Sequence, residues 1–166
     1  MKLMHVRKFY GYAVLYASLT ASCFGGDSAM DRATLRGLKA IKVIIDPPSP
    51  ELEHDGVDRE LLRVGVVQKL QNAGIKIDND VVEFLGVGIS SAPRVGRKGP
   101  VPLVIGVGVY QVLALTRDKN TKTVAETWGE QRVIAGPSKG LDRQVSMTVD
   151  DLVDEFVRAY RSVNPP

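Results

Sequence analysis

The sequence predicts an α+β fold: a two-layer sandwich of a mainly antiparallel sheet with two helices on one face, in the order β-α-β-β-β-α. Three observations carry this. Residues 58–73 and 148–163 repeat apolar side chains at helical spacing, whereas the segments at 38–45, 80–89, 101–116 and 121–134 change to a period of two or run apolar. Two amphipathic helices and one sheet bury their apolar surfaces as two stacked layers. The length, 166 residues, fits a single domain.

The first strand spans residues 38–45 (LKAIKVII), with Leu38, Ala40, Lys42 and Ile44 on one face and Lys39, Ile41, Val43 and Ile45 on the other. Asp46-Pro47-Pro48-Ser49-Pro50 ends it, because proline has no N–H to give a ladder. The first helix runs from Asp58, a good N-cap, to Ala73. Leu62, Val66, Leu70 and Ala73 share a face, and Gly74 supplies the C-cap. Gly65 inside this helix costs about 1 kcal/mol against alanine, so a close packing contact is expected there.

Residues 80–89 form the second strand, led in by Ile75 and Ile77. Residues 101–116 form a long third, and residues 117–120 turn the chain into a fourth at 121–134. The last three make an antiparallel meander. The final helix begins at Thr148, whose pairing with Asp151 resembles a capping box. It presents Val149, Leu152, Val153, Phe156, Val157 and Tyr160 as one apolar stripe. Asp150 and Asp151 suit the positive end of its dipole, and Arg158 and Arg161 the negative end.

The N-terminus has a different logic. Residues 1–8 (MKLMHVRK) are positive, residues 9–19 (FYGYAVLYASL) are apolar, and residues 20–23 (TASC) are small. This is the tripartite pattern of an export signal. No charge falls between Lys8 and Asp27, but glycine, serine and threonine dilute the stretch. Its compact apolar part is about a dozen residues, short for a membrane span. Residues 1–23 are therefore expected to be a signal, residues 24–36 a flexible tether, and residues 37–163 the domain. The whole chain carries a formal charge of +3, but Lys2, Arg7 and Lys8 supply that surplus. Without residues 1–23, 19 basic side chains face 19 acidic ones. A neutral domain offers no global attraction for nucleic acid.

Cys23 is the only cysteine, so no disulfide forms within the chain. The run Leu19-Thr20-Ala21-Ser22-Cys23 resembles the bacterial lipobox. Ala21 and Ser22 fit the pattern, and Thr20 stands where it prefers leucine. The resemblance implies acylation of Cys23 and a membrane tether, with Phe24 at the next position favouring outer-membrane sorting.

Leads for chemistry are few. Arg94, Arg97 and Lys98 sit among glycines and prolines in the loop at 90–100, where cations and backbone amides can hold a phosphate or lipid headgroup. His54, between Glu53 and Asp55, is the only histidine beyond the signal, so any Ser-His-Asp arrangement must use it. One histidine is too few for a structural zinc set, and no cofactor or metal is expected. Carboxylate pairs such as Asp78/Asp80 and Glu126/Glu130 exist, but nothing in the sequence brings them to a glycosidase separation. Gly86 and Gly88 share a strand face, as do Gly106 and Gly108. If those strands are neighbours the glycines bare a patch of backbone, to be covered by a helix or by Trp128, the alternative being a groove that accepts a ligand.

Three segments resemble a family of short exported bacterial proteins without an assigned activity. These are Leu35-Arg36-Gly37-Leu38-Lys39, Leu70-Gln71-Asn72-Ala73-Gly74-Ile75, and Asp151-Leu152-Val153-Asp154-Glu155-Phe156 running on to Val163-Asn164-Pro165. The chain is also loosely similar to α+β domains of outer-membrane lipoproteins. The resemblance implies an exported protein, periplasmic or anchored at the outer membrane, with an unidentified protein partner in the envelope. It assigns no catalytic residue. The function expected is a non-catalytic binding or structural role. Its alternatives are an anion- or lipid-headgroup-binding module through Arg94, Arg97 and Lys98, and a hydrolase through His54.

Overall fold

A computed structural model describes residues 27–93 and 99–165. Residues 40–45 form the first strand, β1 (Ala40–Ile45), which buries Ile41, Val43 and Ile45. The prolines stop it as expected, yet they also start something. Ser49 caps, and Pro50 opens, a short helix α2 (Pro50–His54) that drops Leu52 into the core. A proline at the first helical position loses no hydrogen bond and arrives with the right φ. Helix α3 (Arg59–Asn72) follows, capped by the Asp58 carboxylate on the amides of Glu60 and Leu61, and buries Leu62, Val66 and Leu70. Gly74 turns the chain out at φ +81°.

A two-residue strand β2 (Lys76–Ile77) precedes β3 (Phe84–Ser91), β4 (Val101–Leu115) and β5 (Asp118–Gly136). Together they form a five-stranded sheet in the order β2-β1-β3-β4-β5. β1 runs parallel to both β2 and β3, while β3, β4 and β5 alternate antiparallel, so the sheet is mixed. Parallel pairing of β1 with β3 follows from the crossover that α3 makes between them.

The final helix α4 (Leu141–Val163) starts two turns before the expected box at Thr148. Thr148 lies inside it and gives its hydroxyl to the Gln144 carbonyl, while Gly140 in the left-handed region begins the helix. Leu141 and Val145 extend the apolar stripe upstream and are fully buried, which draws those extra turns onto the sheet. α3 and α4 pack on each other, α3 on β1, and α4 on β4 and β5.

The expected flexible tether at 24–36 also needs correction over its described part. Ser28 and Asp31 close a true capping box, and helix α1 (Ala29–Thr34) follows it. Leu35 is fully buried, and Asn164 ties the segment down by accepting from the Gly37 amide and donating to the Leu35 carbonyl. The described residues thus hold four helices and five strands, more than the six-element order anticipated. Residues 1–23, including Cys23, and residues 24–26 lie outside the described residues.

Candidate functional site

The helices cover one face of the sheet, where Val43, Leu85, Val109 and Trp128 form one row across four strands. Among the described residues no helix covers the other face, which is floored with glycine. Gly86 pairs with Gly108, which pairs in turn with Gly129, and Gly88 pairs with Gly106 in the adjacent row. Glycine in a strand interior gives up conformational entropy and packs nothing, so such a cluster needs close approach by other atoms.

Side chains of the strands themselves provide part of that approach. Phe84 and Tyr110 stack across β3 and β4 with ring centroids 4.7 Å apart and an interplanar angle of 8°. A Cβ on Gly86 would meet Tyr110 Cε2 at 3.0 Å and Phe84 Cε2 at 3.5 Å. Glu126 lies over the next pair: a Cβ on Gly108 would sit 2.7 Å from its Oε2, and one on Gly129 would collide with the other carboxylate oxygen. The Tyr110 hydroxyl holds Glu126 there by donating to Oε2 at 2.8 Å. Burial first, and the neighbouring Glu126 second, push the tyrosine up to about 12, so it remains a donor near neutral pH. Asp46 and Gln131 stand over Gly88 and Gly106. Towards the other end of the face Val104 and Val133 are exposed, Val133 at 78%.

Among the described residues neither a helix nor Trp128 covers this patch, contrary to expectation. The reason is a bulge. Tyr110 faces Glu126 and Val109 faces Trp128, so Thr127 is an extra residue on β5 and the alternation of faces slips by one. Trp128 is thereby sent to the helix side, 1% exposed, with Nε1 donating to Asp27 Oδ1 at 3.0 Å. The same slip puts Glu126 and Glu130 on opposite faces, so they are no catalytic pair. Asp78 and Asp80 sit instead in a turn, with the Asp80 amide donating to Asp78 and Lys76 pairing with it.

Two further surfaces stand out. Between α1, β5 and α4 lies a cleft of about 430 Å³ lined by Asp27, Arg32, Glu130, Arg132, Glu155 and Arg158. Asp27 takes Arg32 at 2.5 Å and 2.8 Å, and Glu155 takes Arg132 and, at 3.8 Å, Arg158. The Arg32 hydrogen bond, assisted by Trp128 and opposed by burial, holds the Asp27 carboxyl below its usual range. Burial, with Glu155 nearby, pushes Glu130 above its own. Three guanidinium groups meet three carboxylates, and the balanced network ties β5 to α4 through Arg132 and Glu155, and to the α1 segment through Trp128 and Asp27, rather than offering net charge to a ligand. The second surface is a groove of about 320 Å³ between α3 and α4, lined by Leu61, Leu62, Gly65, Met147, Val149 and Val153 among others. Nothing lies within 4 Å of where a Gly65 Cβ would be, so the expected packing contact is absent and Gly65 opens the groove instead.

The remaining candidates are quickly placed. His54 is exposed at the C-terminal end of α2, and none of the described hydrogen bonds reaches it. Arg94, Arg97 and Lys98 lie outside the described residues. Among the described residues no group of three His, Cys, Asp or Glu side chains is placed to hold a metal, and no helix is long and apolar enough to cross a membrane.

No protein-family model matches the chain, and no curated protein matches it. Solved structures similar to it include the PelC dodecamer from Paraburkholderia phytofirmans, at 11% identity over 73% of this chain and 87% of that one with a TM-score of 0.38. Rare lipoprotein B from Shewanella oneidensis is 13% identical over 75% of this chain and 96% of that one, with a TM-score of 0.38. A minor lipoprotein from Acinetobacter baumannii is 15% identical over 70% and 89%, with a TM-score of 0.32. Two of these are bacterial lipoproteins.

Proposed function

We propose that this chain is an exported, envelope-held domain with a non-catalytic docking role, and that its uncovered sheet face receives a flat surface of a partner protein. One observation carries the docking reading: five glycines paired in register on the face that no described helix covers, beside exposed Val104 and Val133. A face evolved only for water gains stability from polar, β-branched residues such as threonine. Glycine gives that up and lowers the profile, which admits another surface close to the backbone. The export signal at residues 1–23 supports the address, and acylation of Cys23 would supply the tether.

Two experiments test this together. In the native host, a photo-crosslinking residue at Val104 or Val133 is expected to give a discrete adduct, while one at exposed Glu53 on helix α2 gives none. Equal labelling at all three positions, or none at any, removes the docking reading. Fractionation of cells carrying Cys23→Ser is expected to move the protein from the membrane pellet to the soluble fraction. A wild-type protein already soluble in the periplasm keeps the export reading and removes the tether.

A further inference from the structure

We infer that the far end of the β4–β5 hairpin pairs edge to edge with a second copy of this chain, about a two-fold axis at Val124. The pairing of β3 with β4 ends at Phe84 opposite Tyr110, so residues 111–125 continue as a ribbon of two strands beyond the third. Val112 and Val124 face each other on one side of that ribbon, and Leu113 lies on the other; all three are exposed, Val124 at 48%. Two strands alone are marginal in water, and apolar side chains on both faces make them more so. β5 is also the edge of the sheet, with a row of backbone donors and acceptors turned outward.

The charges select a second copy as the occupant. Two copies of one strand become antiparallel neighbours only about a two-fold normal to the sheet, and because opposed residues must share a face, that axis passes through a residue. An axis at Lys122 or at Glu126 would set like charges opposite each other. An axis at Val124 sets Val124 against Val124, and Lys122 against Glu126 of the second copy, twice. Lys122 has no ion pair among the described residues and shares a face with Glu126; Tyr110 draws one Glu126 oxygen inward over β4, and the other oxygen accepts no described hydrogen bond. The pairing closes at Thr127, where the bulge begins and the Thr34 hydroxyl already occupies the carbonyl. This contact does not depend on export or on the glycine face.

Sedimentation equilibrium of the full chain over a concentration series tests it, with far-UV circular dichroism confirming the fold of each variant. The wild type is expected to be dimeric. Lys122→Glu is expected to weaken the dimer about 10-fold or more, and Lys122→Glu with Glu126→Lys to restore it. In a Cys23→Ser background, Val124→Cys is expected to form an oxidised dimer readily, and Leu113→Cys is not. A monomeric wild type overturns the inference, as does a dimer that Lys122→Glu leaves unchanged and that Val124→Cys fails to cross-link.

Discussion

Replacing Trp128 tests whether the bulge at Thr127 places it in the core. Its ring is 1% exposed, lies 5.4 Å from the Phe156 ring, and gives its N–H to Asp27. Trp128→Ala removes the largest side chain in the core, and large-to-small changes of this kind cost about 3–5 kcal/mol. Against a typical domain stability of roughly 5–15 kcal/mol, that is a large share. Trp128→Phe keeps most of the apolar body and loses the hydrogen bond. Its cost is about 1–2 kcal/mol, since Asp27 keeps Arg32 and some access to water. Urea unfolding followed by far-UV circular dichroism measures both variants. The wild type is also followed by fluorescence, because this is the chain's only tryptophan. A loss under about 1 kcal/mol for Trp128→Ala, the size expected at a surface site, would refute the bulge assignment.

Three other outcomes follow from the same geometry. Gly65→Ala is expected to stabilise the domain by about 0.5–1 kcal/mol, because the new methyl meets nothing while the unfolded chain and helix propensity both favour it; thermal melts that fall instead would mean the groove is closed. Lys69 spans the two helices, with Nζ 2.8 Å from Asp150 and 2.7 Å from Asp154. Burial opposes its charge but those hydrogen bonds outweigh it and hold its pKa high. Lys69→Met should therefore lower stability at neutral pH, and the difference should shrink as pH rises through the raised lysine pKa, read from melts over an alkaline pH series. Glu130 and Asp27 respond to acid with opposite signs. Protonating Glu130, whose folded pKa is raised, relieves a penalty and stabilises the fold as pH falls through that value. Protonating Asp27, whose folded pKa is depressed, removes stability at still lower pH. Glu130→Gln should accordingly raise stability at pH 7 and Asp27→Asn lower it; the reverse order would contradict the cleft as described.

Much of this architecture is legible along the chain, and the gaps have physical causes. The β1 alternation, the Asp58 cap, the long β4 and the stripe from Val149 to Tyr160 all survive in the structure. Helix α1 was announced by Ser28 with Asp31, the same signature sought at Thr148. It is overlooked because the surrounding residues are small and polar and only Leu35 anchors it. Leu141 and Val145 carried the signal for the true start of α4, four residues apart and in phase with Val149. The bulge at Thr127 is different in kind. Nothing in Glu126-Thr127-Trp128 marks an extra residue, and one slip reverses the face of everything beyond it. The glycine-lined face was visible as spacing, but its covering by Tyr110, Glu126 and Gln131 depends on register, which only the folded sheet fixes.

The proposed function rests on the address of the protein, and the mass of the intact protein isolated from its native host reads it. The account predicts a chain that begins within a few residues of Cys23, either at Cys23 with the added mass of a diacylglycerol and an acyl chain, or just past it with none. A chain that retains Met1 or Lys2 and is recovered from the cytosol would contradict it.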